Sequence, residues 1–253
     1  MEDEVETPLT GGNMDPVVRV GETVRRVTGP WTPAVHTLLR AYAEHGIAEC
    51  PRPLGVDERG REILTFLPGG VMAGLPPAQL WSEDLLRQAA ALLRRMHEAS
   101  TDLVAADLLW RQDRHEPAEV ICHNDVAPYN LLVSAGRLTG VIDHDMASPG
   151  PRVWDLAYLA YRMVPYAEDA PGLAEAPGFA DAPRARAHRL ELLLAAYGLD
   201  VEPAELHEVA AERLEALAAF TDARAAETGR ADFWEHAAMY RRDAARLRAG
   251  AFE

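Results

Sequence analysis

Cys122-His123-Asn124-Asp125-Val126-Ala127-Pro128-Tyr129-Asn130, followed by Val141-Ile142-Asp143-His144-Asp145, is the stretch that decides the fold. Val120-Ile121-Cys122 before it is a short strand candidate. Leu131-Leu132-Val133-Ser134 and residues 138–142 flank Ala135-Gly136-Arg137 and read as a hairpin. Asp125 and Asn130 then lie on the loop after a strand, and Asp143 and Asp145 lie where the returning strand ends. An ordinary hairpin does not need carboxylates at both mouths of one turn. Like charges gathered this way repel unless a cation sits among them.

Upstream of this stretch the chain reads as β-rich with one helix. Residues 17–20 and 23–27 are β-branched runs around a Gly21-Glu22 turn. Val35, Leu38, Leu39 and Tyr42 recur at helical spacing over 33–45, with Pro33 at the start and Gly46 after the end. Residues 52–55 and 62–67 pair as strands around Asp57-Glu58-Arg59-Gly60, and 69–77 is the linker candidate. Beyond it Ser82 serves as an N-cap for the apolar stripe Leu85, Leu86, Ala89, Leu92, Leu93, Met96. Helices return at about 153–163, 183–198, 203–227 and 231–249, with a loop rich in Ala, Pro, Gly and acids at 167–182. The order is a small β-rich lobe, a linker, and a larger helical lobe with one embedded hairpin.

Composition narrows the function classes. A net charge of −15 argues against a nucleic-acid partner, which calls for a basic face. No stretch approaches the roughly 20 apolar residues of a membrane helix. The acidic start Met1-Glu2-Asp3-Glu4 does not read as a secretory leader, and Cys50 and Cys122 do not form a CxxC pair. A reduced, cytoplasmic protein is expected. All 25 basic residues are arginine, and lysine is absent.

Phosphoryl transfer explains the polar set. That reaction needs a group to accept or orient the acceptor's hydroxyl proton, and oxygen ligands for magnesium bridging nucleotide phosphates. Asp125 suits the base. Asn130 offers a neutral carbonyl oxygen and Asp143 a carboxylate oxygen, both hard ligands for Mg2+.

The chain resembles the aminoglycoside phosphotransferase family, whose fold is related to that of protein kinases. His123-Asn124-Asp125-Val126-Ala127-Pro128-Tyr129-Asn130 is similar to its H-x-D-x-x-x-x-N motif, and Ile142-Asp143-His144-Asp145 to its I-D-x-D motif. The likeness runs over about residues 9–165, taking in Asp155 as a structural aspartate and His97 at a helix end. It implies an α+β, bilobal, protein-kinase-like fold. Residues 1–69 would form the N-terminal nucleotide-binding lobe, and 70–253 the C-terminal helical catalytic and substrate lobe. It implies ATP or GTP with Mg2+, Asp125 as catalytic base, and Asn130 and Asp143 as metal ligands. Thr65, Phe66 and Leu67 would hold the adenine by their backbone, and Gly11, Gly12 and Asn13 fall at the phosphate-covering loop. The acceptor would be a hydroxylated small molecule. Glu168, Asp169, Glu175 and Asp181 are candidates for recognising a cationic one.

The chain departs from this family at the phosphate clamp. The usual basic residue on the third strand is lysine, paired with a glutamate on the next helix. Here the strand carries Arg26, with Arg25 as the alternative alignment, and the helix has no glutamate in its first two turns; His36 lies near that position. This departure motivates a second reading, a nucleotide-binding scaffold without catalysis. A third, a metal-dependent phosphohydrolase, would use His123, Asp125, Asp143, His144 and Asp145 as a dinuclear cluster.

Overall fold

The computed structural model describes residues 5–9, 17–173, 176, 179 and 181–252. Gly11, Gly12, Asn13 and Glu175 lie outside them. Packing groups the chain into two compact units, Met1–Gly74 with Arg95–Pro151, and Leu75–Arg94 with Arg152–Glu253.

The first unit is built on an antiparallel sheet in the order β1 (Thr7–Pro8), β2 (Val18–Val20), β3 (Thr23–Val27), β5 (Arg61–Thr65), β4 (Pro53–Val56). Strand alternation sends Arg26 and Glu62, which pair in register, to one face and Arg25 and Ile63 to the other. Helix α1 (Thr32–Glu44) buries Val35, Leu38, Leu39 and Tyr42, the stripe its spacing predicts, and also His36. The expected hairpin forms from β8 (Leu131–Ser134) and β9 (Arg137–Val141). Ala135 and Gly136 both have positive φ, 49° and 75°, as a two-residue turn matched to strand twist requires. β7 (Val120–Cys122) pairs with β10 (Ser148–Gly150), returning the chain just after the acidic cluster.

The stretch 69–77, expected as a linker, holds structure. Gly70–Val71 forms β6, in register with Val133 and Leu132 of the hairpin. Two residues carry too little periodicity to announce a strand. Gly69 makes the approach possible. Its φ is 141°, and a Cβ there would stand 2.6 Å from Thr139 Oγ1 and 3.3 Å from Val133 N. Gly69→Ala is therefore expected to destabilise the protein by about 1–3 kcal/mol, combining a φ that L side chains resist with a steric clash. Chemical denaturation checks this, and an unchanged midpoint would contradict the stated geometry.

The second unit is helical: α2 (Pro77–Leu80), the first part of α3 (Glu83–Glu98), α4 (Arg152–Met163), α5 (Ala182–Tyr197), α6 (Pro203–Thr228) and α7 (Ala231–Arg248). Gly198 and Gly229 end α5 and α6 in the left-handed conformation, each N–H closing on a carbonyl four residues back. α6 packs along α7, and α4 against α6. Arg189 is buried and donates to Met163 O and Trp81 O, the carbonyls at the ends of α4 and α2. Burial pushes its pKa down to about 10, so it stays cationic at neutral pH. Among the described residues no helix is long and apolar enough to cross a membrane, and the buried Cys50 and Cys122 form no disulfide.

Candidate active site at the hairpin

Arg26, Thr65, Phe66, Leu67, Asp125, Asn130 and Asp143 all belong to the first unit. The loop after β7 is fixed by its own polar groups. His123 is fully buried; its Nδ1 accepts from Asp125 N at 3.2 Å, and its Nε2 faces Ile142 O at 3.2 Å. It is thus the buried, backbone-bonded histidine, set in the Nε2–H tautomer by these two partners. Asn124 adopts φ 65° and donates to Met146 O at 2.8 Å and Ser148 Oγ at 2.9 Å, tying the loop to the strand beyond the acids.

Asp125 and Asn130 face each other. Asn130 Nδ2 donates to Asp125 O at 3.0 Å and to Asp125 Oδ2 at 2.8 Å, while Tyr129 OH donates to Asp125 Oδ1 at 2.5 Å. With its amide nitrogen turned to Asp125, Asn130 presents Oδ1 as a neutral oxygen donor. Ile142 N donates to Asn130 O at 3.0 Å, so the loop is clipped to the residue preceding Asp143. Asp143 sits at φ 64° and ψ 66°, a conformation that costs energy for a non-glycine residue and is typical of functional positions. Its side chain is about half exposed, at 48%. One neutral oxygen and one accessible carboxylate at the two ends of one hairpin are a donor set that suits a hard divalent cation.

Arg26 joins this group. Its Nε donates to Glu62 Oε1 at 2.6 Å, Nη1 to Asp143 Oδ1 at 3.2 Å, and Nη2 to Asp145 Oδ1. Glu62 Oε2 in turn meets His36 Nε2 at 2.9 Å. Burial disfavours the Arg26 charge, but Asp145, Asp143 and Glu62 more than offset it and its pKa is raised. Asp145 is shifted upward, first by burial and then by Asp143 and Glu62, against the pull of Arg26 and Arg111. Arg111 Nη1 lies 3.9 Å from Asp145 Oδ2, and its guanidinium stacks over Trp31 at 4.5 Å. Neither Glu62 nor Arg111 is marked by any motif. Glu62 could have been found only from the β3–β5 register, and Arg111 lies in a stretch without periodicity.

Arg25, the alternative alignment, points to the other face of the sheet, where it bonds Thr23 Oγ1 and lies 3.9 Å from Asp57. His144 is buried against His123, with ring centroids 4.6 Å apart, and against Tyr42 at 5.9 Å. Burial, and then the neighbouring His123 and Arg26, hold its pKa well below that of a free histidine. Both rings are thus packed inside the first unit, and His123 is also bonded to backbone.

The Thr65–Leu67 segment is partly committed. Thr65 N donates to Arg52 O, Phe66 N donates to Glu22 O, and Arg19 stacks over the Phe66 ring at 3.7 Å. The acids singled out for a cationic substrate are also engaged. Arg242 bonds Glu168, Arg162 bonds Asp169, and Asp181 caps α5 by accepting from Arg184 N.

The model of the phosphotransferase enzyme family matches residues 7–112 and 101–188. The chain belongs to the phosphotransferase enzyme family. It is 35% identical over 206 residues to the trifolitoxin immunity protein of Rhizobium leguminosarum bv. trifolii, covering 79% of this chain and 76% of that one. Its fold is similar to that of an ethanolamine kinase of Plasmodium vivax, with a TM-score of 0.65, 13% identity, and 97% and 83% of the two chains covered. A spectinomycin phosphotransferase solved with ADP and spectinomycin aligns at a TM-score of 0.60 and 13% identity, over 97% and 92% of the chains. The protein-kinase-like α+β fold of this family, β-rich toward the N-terminus and mainly helical toward the C-terminus, is the one the hairpin motifs led us to expect.

Proposed function

We propose that this family member transfers the γ-phosphoryl group of ATP or GTP to a hydroxyl of a small molecule. One observation carries the reading: Asp125, bonded by Asn130, and Asp143, reached by Arg26, stand at the two ends of one hairpin. Asp125 accepts the hydroxyl proton and orients the attacking oxygen. Tyr129 and Asn130 hold its carboxylate in one rotamer, so little reorganisation is needed at that step. Asn130 and Asp143 would hold Mg2+, which would neutralise the negative charge that develops on the phosphate oxygens during transfer. Arg26 supplies the phosphate-facing cation in place of lysine. Leu67 and its neighbours in the Thr65–Leu67 segment would meet the adenine through their remaining backbone groups, with Gly11, Gly12 and Asn13 covering the phosphates. In chain order we take 1–69 as the nucleotide-binding part and 70–253 as the catalytic and substrate part. We also propose a cytoplasmic location.

The relatives suggest where to look for the acceptor. Spectinomycin, ethanolamine and trifolitoxin form the first panel, since proteins similar to this one are named for them. The test is incubation with ATP or GTP and Mg2+, with mass spectrometry of each acceptor. A product heavier by one phosphate, absent without nucleotide, supports the reading. A second reading is favoured by one feature: all three nitrogens of Arg26 are held by carboxylates, so a phosphate must compete for them. Tight nucleotide binding with no product from a broad set of hydroxylated compounds would shift the assignment to a nucleotide-binding scaffold.

A further inference from the structure

We propose that Glu62 and His36 are positioning residues that aim Arg26 at the nucleotide phosphates, an inference that rests on the phosphotransferase reading above. Strand β5 supplies the acid that the first two turns of helix α1 lack, and the helix supplies a histidine that braces this acid. The Glu62 side chain is 1% exposed, and a carboxylate so placed is costly unless both oxygens are satisfied. Oε1 accepts from Arg26 Nε at 2.6 Å and Oε2 from His36 Nε2 at 2.9 Å, so each oxygen has one partner. Apolar residues in place of a buried ion pair are often as stabilising or more so. The buried charges therefore need a reason other than packing.

Geometry supplies that reason. Held through Nε, the guanidinium plane is fixed and both terminal nitrogens are turned toward the hairpin acids, Nη1 to Asp143 and Nη2 to Asp145. One fork thereby binds its brace behind and presents two donors ahead. An ammonium puts its three donors on one nitrogen, so it does not spread them from Glu62 to both hairpin acids as this fork does. Restoring the lysine usual in the family should consequently make nucleotide binding worse.

The test is calorimetric binding of ATP and GTP in the presence of Mg2+ to wild type, Arg26→Lys, Glu62→Gln, His36→Leu and His36→Gln. Thermal unfolding without nucleotide is measured on each. Losing a charge-assisted bond is expected to weaken nucleotide binding by about tenfold or more in Arg26→Lys and Glu62→Gln. His36→Leu should weaken it severalfold, and His36→Gln, which keeps a donor for Glu62, should return most of that loss. Affinity within twofold of wild type in folded Glu62→Gln, or equal losses in the two His36 variants, would overturn the proposal. Should Glu62→Gln not fold, the His36 pair decides alone. Failure of the function reading appears elsewhere, as a wild-type protein that binds neither nucleotide, and that result overturns the positioning role with it.

Discussion

Asp125→Asn is expected to lower kcat by about a hundred- to ten-thousandfold, the range supplied by a positioned general base, with the fold and nucleotide affinity retained. Asparagine has the shape of aspartate, and its surroundings can accept the change. Asn130 Nδ2 donates to one carboxylate oxygen and Tyr129 OH to the other. The new amide can keep its oxygen toward Asn130 and turn its nitrogen toward Tyr129, whose hydroxyl accepts as well as donates. What disappears is the capacity to take a proton from the acceptor hydroxyl. The loss should fall equally on kcat and kcat/KM, the signature of an interaction made only in the transition state. Near-normal turnover of a true substrate by Asp125→Asn would remove this residue from the base role.

The largest expected stability effect lies in the helical unit, at Asp243. Its side chain is fully buried on α7, with Oδ2 accepting from Tyr161 OH at 2.8 Å and Glu168 N at 2.9 Å, and Oδ1 accepting from Arg246 at 2.9 Å. Burial, and then the negative charge of Asp243, push the Tyr161 phenol well above its usual pKa, so it remains a donor at any ordinary pH. Asp243→Ala leaves a buried hydroxyl and a partly buried amide without an acceptor, whereas Arg246, 43% exposed, can turn to water. The expected cost is about 3 kcal/mol, dominated by the two stranded donors. Tyr161→Phe in the same background should restore part of it, because the phenol no longer needs a partner. A denaturation midpoint unmoved by Asp243→Ala would show that water replaces the carboxylate.

Most of the secondary structure was legible because its signals are local. The runs Val18–Val20 and Thr23–Val27 and the stripe of α1 each announce an element within a few residues. The hairpin at residues 131–141 was legible for the same reason, with the acidic residues close to a turn of known type. β6 and β10 were not, since two or three residues show no period and their pairing partners lie far away in the chain. The clamp around Arg26 was half legible. The missing lysine and helix glutamate can be read directly, but their replacement depends on the cross-strand register of Arg26 with Glu62, which no local pattern encodes. The acids at Glu168, Asp169 and Asp181 were ambiguous as a solvated loop or a substrate site; the structure gives each a partner within its own unit.

Thermal unfolding reads whether Asp143 and its neighbours form a nucleotide site. Wild type and Asp143→Ala are compared with ATP and with GTP, each with and without Mg2+. A ligand at about 100 times its Kd stabilises the folded protein by roughly 2.7 kcal/mol, a readily measured rise in Tm. The predicted result is a magnesium-dependent rise in wild type with at least one nucleotide, lost in Asp143→Ala. No rise at millimolar nucleotide in wild type, or an equal rise in both proteins, would contradict the account.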